Sequence, residues 1–303
     1  MISEEEIDYF KKYGYVHIKN FFSKEYILEL RNYLIKKYVK EQSSYMVSHS
    51  DLLSDEFTSK ILTDGKISSV AKLLLGKNDI VYFGDSCWTC TGEKTSPMAY
   101  HTDNCHRNKF GKDWEKEHFP ILRFAFYLQD HSKQGGGLLL GKGSSKKFIK
   151  NMYLRVLYRE ILGPLIGKFK HIPCEMGDLV IWNLRCTHAG DGLKFKHTNF
   201  PISKRLSKFV PEFLISRCTE KRFLVNGNFG IKSEELDRHI EYLKTRSYQI
   251  NRWKNMNIKN EDVLLLKEKN VEFFDFKEFI EKEISEGRID ETMNYDHVDY
   301  NNN

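Results

Sequence analysis

Seven short strand-like runs occupy the middle of this chain, and they limit its fold more than any other feature. They cover residues 80–91, 98–103, 121–129, 137–140, 169–173, 178–184 and 223–229, with breaks rich in Gly, Pro, Asp or Lys between them. Aromatic and β-branched residues crowd this region, which favours sheet. Gly135-Gly136-Gly137 and Met176-Gly177-Asp178 are turn signals. The run 121–129 separates most cleanly by face. Leu122, Phe124, Phe126 and Leu128 form an apolar side, and Arg123, Ala125, Tyr127 and Gln129 a mixed one. The apolar side requires helices or a second sheet against it. The mixed side can line a polar cavity, so Arg123 and Tyr127 are candidates to touch a substrate or co-substrate. Many short strands joined by tight turns imply a sandwich or barrel.

The flanks read as helix. Ser3 and Glu6 have capping-box spacing, and Ile7 and Phe10 follow on one face. Residues 13–22 alternate as a strand, and Ser23 then caps a helix carrying Ile27, Leu30 and Leu34. Residues 40–65 are polar, with one or two short helices, and 67–75 forms a helix that ends near Gly76. From 233 the period changes to helical, with Leu236, Ile240 and Leu243 on one face, and 261–269 and 275–287 are further helices. The final residues have no packing pattern and should fray. The expected organisation is a β domain over 1–232 with N-terminal helices. A helical extension over 233–303 is then packed on, or appended to, that core. Two breaks are long, 104–120 and 189–221, and long loops in compact domains are commonly functional.

The 303 residues are 40% hydrophobic and 14% aromatic, enough for a well-filled core. The net charge is +6, with lysines interspersed among acidic residues, which argues for a solvated surface rather than a nucleic-acid footprint. No apolar run approaches the length of a membrane span. The acidic start MISEEEIDYF lacks the layout of a signal peptide, so a cytoplasmic location is expected. The six cysteines then read as reduced thiols. Cys87-x-x-Cys90 has no second pair at zinc spacing and reads as buried thiols.

His101-x-Asp103 sits in PMAYHTDN, and His188 follows 85 residues after Asp103 in GDLVIWNLRCTHAG. Side chains two apart on a strand share a face, so His101 and Asp103 can reach one ion and His188 can close a triangle. Two imidazoles and a carboxylate on one face of an octahedron suit non-haem Fe(II) and leave positions for a co-substrate and O₂. A chelating 2-oxo acid then needs a cationic fork for its far carboxylate, which an Arg supplies. Arg222, opening RFLVNGNFG, is favoured over Lys204, Arg205, Arg217 and Lys221.

These segments resemble the phytanoyl-CoA dioxygenase family of Fe(II)/2-oxoglutarate oxygenases. The likeness runs from YGYVHIKNFFSKEYILELRNYL through YHTD, LRFAFYLQDHSKQGGGLLLGKGSSKK and GDLVIWNLRCTHAG to RFLVNGNFG, roughly residues 6–230. It implies a double-stranded β-helix core with flanking helices, Fe(II) at His101, Asp103 and His188, and 2-oxoglutarate held by Arg222. It also implies hydroxylation of an unactivated C–H bond, with CO₂ and succinate released. The family's Pro-Gly-Ser-His turn reads Lys142-Gly143-Ser144-Ser145 here, and the stretch from His188 to Arg222 is longer than in simple members. Asp103, in place of Ala or Gly, disfavours a halide-binding variant.

The resulting expectation is an Fe(II)/2-oxoglutarate dioxygenase that hydroxylates a small or conjugated metabolite. The alternatives are a cupin-type metalloenzyme without 2-oxoglutarate (an isomerase or other dioxygenase), a non-enzymatic barrel that binds a metal or ligand, and a nucleic-acid demethylase. Loop 104–120 carries Arg107 and Lys109 close after a candidate ligand, so these two, with Arg123, are candidate contacts for an anionic substrate.

Overall fold

The computed structural model describes residues 2–39, 45–48, 50–91, 98–104, 112–115, 117–244 and 246–289. Two β-sheets face each other, with helices on the outside of the larger one. The strands are β1 (Tyr15–Ile18), β2 (Tyr45–Val47), β3 (Ile80–Tyr82), β4 (Cys87–Thr91), β5 (Ile121–Tyr127), β6 (Gly137–Gly141), β7 (Phe169–His171), β8 (Leu179–Asn183), β9 (His188–Phe195), β10 (Pro201–Ile202), β11 (Ile215–Ser216), β12 (Arg222–Gly230) and β13 (Val271–Phe273). The major sheet runs β1-β8-β5-β12-β3-β13, with β4 also paired to β12 and β2 to β4. The minor sheet runs β10-β9-β6-β7, with β11 beside β9. Every pairing is antiparallel except β13 with β3.

The two faces of β5 decide the layering. Leu122, Phe124, Phe126 and Leu128 are buried with Ile27, Leu30 and Leu34 of the helix Lys24–Tyr38 and with Ile67 and Val70 of the helix Lys66–Leu75. Ala125 and Tyr127 point the other way and are buried with Leu138, Leu140 and Ile172 of the minor sheet and Val180 and Trp182 of β8. Fully burying side chains of this size contributes about 1.5–3 kcal/mol each. The period-two pattern therefore builds an outer helix-backed core and an inner core inside the double-stranded β-helix. Long strand β12 joins the sheet halves, pairing β5 along one edge and β4 and β3 along the other. Gly227 lies opposite Phe124, and a Cβ there would meet the Phe124 ring at 2.6 Å.

Several expectations need correction. The run 80–91 is two strands, because Gly84 turns the chain at φ +61°. The run 98–103 forms no ladder strand: it is attached by a single bridge, His101 to His188. The break 189–221 is no loop, since β9, β10 and β11 lie within or across it. The helical run after 233 is divided into Glu234–Leu243 and Ser247–Lys254. The sequence reading also missed the helical segment 152–165 between β6 and β7.

The C-terminal segment reaches the sheet. Its β13 extends the major sheet beside β3, and Trp253 and Phe276 stack at 4.1 Å over a cluster that includes Phe83, Ile121 and Leu184. Trp253 Nε1 and Gln249 Nε2 both donate to the Gly84 carbonyl, at 3.0 and 2.9 Å.

Among the described residues, three histidines are at most 2% exposed: His131, His171 and His239. Burial pulls His131 down to about 3, His239 down to about 4 and His171 well below the usual imidazole range. Each stays neutral when folded and takes up a proton only on unfolding. Stability should therefore fall as pH drops below about 6.5, by up to about 1.4 kcal/mol per pH unit for each histidine. Urea midpoints measured between about pH 7 and pH 5 check this, and His171→Phe should flatten the slope by one proton's share. A flat profile contradicts the burial of these rings.

Candidate metal centre

The chain bends so that residues 98–103 lie along the start of β9. His101 N donates to His188 O and His188 N donates to His101 O, both at 2.9 Å, and Met98 N donates to Gly190 O at 3.1 Å. Asp103 N donates to Leu184 O at 3.3 Å. This backbone zipper sets the side chains. Potential ligand atoms of His101, Asp103 and His188 all lie within 4.8 Å of one another. His101 Nε2 is 3.5 Å from Asp103 Oδ1, and His188 Nε2 is 3.3 Å from Asp103 Oδ2.

Each imidazole is oriented through its other nitrogen. His101 Nδ1 bonds the Ala99 carbonyl at 2.8 Å, and His188 Nδ1 bonds the Cys186 carbonyl at 3.1 Å. A carbonyl only accepts, so each Nδ1 carries the proton and each Nε2 keeps its lone pair toward Asp103. Burial opposes the charge on Asp103, but the Arg123 guanidinium at 3.2 Å more than offsets it, and the carboxyl is held well below its usual range. Burial also lowers His188, despite the pull of Asp103. Two neutral imidazoles and an ionised carboxylate are the donor states a divalent metal requires. The donor set fits such an ion.

Arg123 donates from Nη1 to Asp103 Oδ2 at 3.2 Å and from Nη2 to Asn226 Oδ1 at 2.6 Å. It braces the carboxylate from behind. Arg222, at the start of β12, is 3% exposed and lies with its guanidinium 5.1 Å from the Tyr127 ring centre. Its Nε faces Asp191 Oδ1 at 3.1 Å and donates to the Gly136 carbonyl. Its Nη2 is buried and, among the described residues, has no hydrogen-bond partner. Burial disfavours its charge, but Asp191 and Tyr127 raise its pKa above the ordinary value. A buried guanidinium with an open donor can pair with a carboxylate.

The competing cations lie elsewhere. Lys204 and Arg205 are exposed, and Arg217 is paired with Glu212 at 2.6 Å. Arg107 and Lys109 fall outside the described residues. Within the same loop, Asp113 is buried and accepts from Arg238 and Asn104, both at 3.0 Å. Asn226 and Asp191 were missed by the sequence reading. Asn226 was findable, since it shares the face of Arg222 four residues along β12. Asp191 was not, because it sits at φ +50° in a strand whose sequence, HAGDGLKF, has no alternation.

No family model matches the chain, and no curated protein matches it. Solved structures do. HygX from Streptomyces hygroscopicus, with nickel, 2-oxoglutarate and hygromycin B bound, aligns at TM-score 0.55 and 13% identity over 76% of this chain and 88% of that one. HygX with iron bound aligns at 0.54 and 11%, over 76% and 87%. The non-heme alpha ketoglutarate dependent carbocyclase SnoK from nogalamycin biosynthesis aligns at 0.50 and 15%, over 78% and 90%. The shared architecture is the double-stranded β-helix of cupin-type oxygenases.

The geometry makes Asp103 a candidate ligand rather than a support for one, and the Asp103→Ala variant tests this. It should weaken Fe(II) binding by more than about 100-fold, beyond what losing an outer hydrogen bond costs. Anaerobic calorimetry measures this, and wild-type affinity in the variant contradicts the ligand set.

Proposed function

We propose that this chain is an Fe(II)- and 2-oxoglutarate-dependent oxygenase of a small molecule. His101, Asp103 and His188 hold the iron, and Arg222 beside Tyr127 receives the far carboxylate of 2-oxoglutarate. The observation that carries the reading is the open, buried Nη2 of Arg222, in the same barrel as three converging ligands. A cupin metalloenzyme without a 2-oxo acid has no use for that cation. The fold neighbours support the cofactor pair: HygX has been crystallised with iron and with nickel and 2-oxoglutarate.

Bound iron and 2-oxoglutarate supply an oxidant for a C–H bond, with CO₂ and succinate released. The protein's residues orient and shield. Arg123 fixes the Asp103 carboxylate, the Ala99 and Cys186 carbonyls fix the ring tautomers, and Trp182, with its ring centre 5.3 Å from that of His188, closes one side. With its donors on Asp103 and Asn226, Arg123 is a positioning residue rather than a substrate contact. Hydroxylation of a small or conjugated metabolite is the proposed outcome. The carbocyclase among the neighbours makes ring closure the second reading. Arg107 and Lys109 remain proposed contacts for an anionic group on the substrate.

Arg222→Leu leaves a carboxylate unpaired at a cost of about 2–4 kcal/mol, so KM for 2-oxoglutarate should rise roughly thirty-fold or more. Iron affinity should hold, and Arg222→Lys should recover part of the loss. The assay is succinate release under air with Fe(II) supplied. An unchanged KM in Arg222→Leu contradicts the assignment, as does turnover that never needs 2-oxoglutarate.

A further inference from the structure

The segment 152–166, inserted between β6 and β7, is turned inside out. Two of its three charged residues, Arg159 and Glu160, point into the protein. Arg159 donates to the Tyr100 carbonyl at 3.5 Å and to Thr187 Oγ1 at 3.1 Å, and Glu160 is 8% exposed. Its large apolar residues point outward: Leu154, Leu157, Ile161, Leu162, Leu165 and Ile166 are 41–66% exposed. Among the described residues this is the densest run of exposed large hydrophobics. Contiguous exposed apolar surface of this kind marks an interaction site.

The surrounding charge says what covers it. Between Lys142 and Lys170 the chain carries eight Lys or Arg and one Glu, a net +7 against +6 for the whole protein. The remainder of the chain is therefore close to neutral. Lys146, Lys147, Lys150, Lys168 and Lys170 are exposed and flank the apolar strip on both sides. The one acidic group of the segment, Glu160, faces inward. An apolar strip bordered by lysines is the pattern that lies in an anionic bilayer interface, apolar face in the acyl boundary and cations at the headgroups. Among the described residues no helix is long and apolar enough to cross a membrane, so the segment lies on the surface rather than spanning.

We propose that residues 142–170 dock this protein peripherally on an anionic lipid surface, with Leu157, Ile161 and Leu165 inserted and the flanking lysines on the headgroups. Docking there places the candidate metal centre next to the membrane. Arg159 ties the segment to Tyr100 and Thr187, the residues preceding His101 and His188 in sequence.

Co-sedimentation of the full chain with vesicles tests this, using phosphatidylcholine alone and phosphatidylcholine with a one-third share of phosphatidylserine. Partition should be about tenfold or more stronger on the anionic vesicles and should fall with added salt. Ile161→Glu with Leu165→Glu should abolish it while the melting temperature holds, because both side chains are already exposed. Charge reversal of Lys146, Lys147 and Lys150 should remove the preference for anionic lipid. Equal partition on both vesicle types, or none, overturns the proposal. So does a dimer that the double Glu variant dissociates without any vesicle binding, which would make the strip an interface between two copies. The readout uses no turnover, so it stands or falls apart from the oxygenase reading.

Discussion

Everything at the candidate centre depends on one reciprocal pair of backbone hydrogen bonds, between His101 and His188. The two residues are far apart in sequence, and no sheet ladder holds 98–103 in place. The bridge fixes the spacing of the two rings, and the carbonyls two residues before each His fix their tautomers. Asp103 is brought between them by its own bond to Leu184, at the start of the chain's passage from β8 to β9. The site is thus set by backbone geometry, which substitutions at neighbouring side chains cannot easily shift.

Two arginines then determine the electrostatics of the barrel interior. Both come from the mixed, partly polar faces of their strands, and they are satisfied differently. Arg123 is consumed by Asp103 and Asn226. Arg222 is only partly consumed, by Asp191 and Gly136, and keeps an open corner. In a low-dielectric interior an unused donor of this kind is costly, so the fold carries a penalty that a bound carboxylate would relieve. That asymmetry is what supports the proposal that Arg222 receives a carboxylate.

The fold was legible wherever a strand alternates. The ILRFAFYLQ run announced its two faces and β12 alternates likewise, whereas β8 was legible as a short apolar run opened by the Met176-Gly177-Asp178 turn. The i, i+2 spacing located His101 and Asp103 on one side although their segment is not a ladder strand, because an extended backbone alternates whether or not it is paired. Illegible parts have physical reasons. Strand β9 carries two glycines and Asp191 at φ +50°, and its neighbours β10 and β11 are two residues each, too short for any period to show. Strand β13 is three residues held by a parallel partner distant in sequence. The helical segment 152–166 hides two of its three charges and shows its apolar residues, so a reading that sends hydrophobics inward misplaces it.

Coupled binding tests the central claim most directly. If the three ligands and Arg222 serve one chelating co-substrate, 2-oxoglutarate needs the metal and the metal gains from 2-oxoglutarate by the same factor. Anaerobic calorimetry of the purified chain, with Fe(II) and 2-oxoglutarate added in either order, measures both arms. The account predicts tight 2-oxoglutarate binding only in the presence of Fe(II), with equal coupling in the two orders. Binding of 2-oxoglutarate that is indifferent to the metal, or to loss of His188, would contradict it.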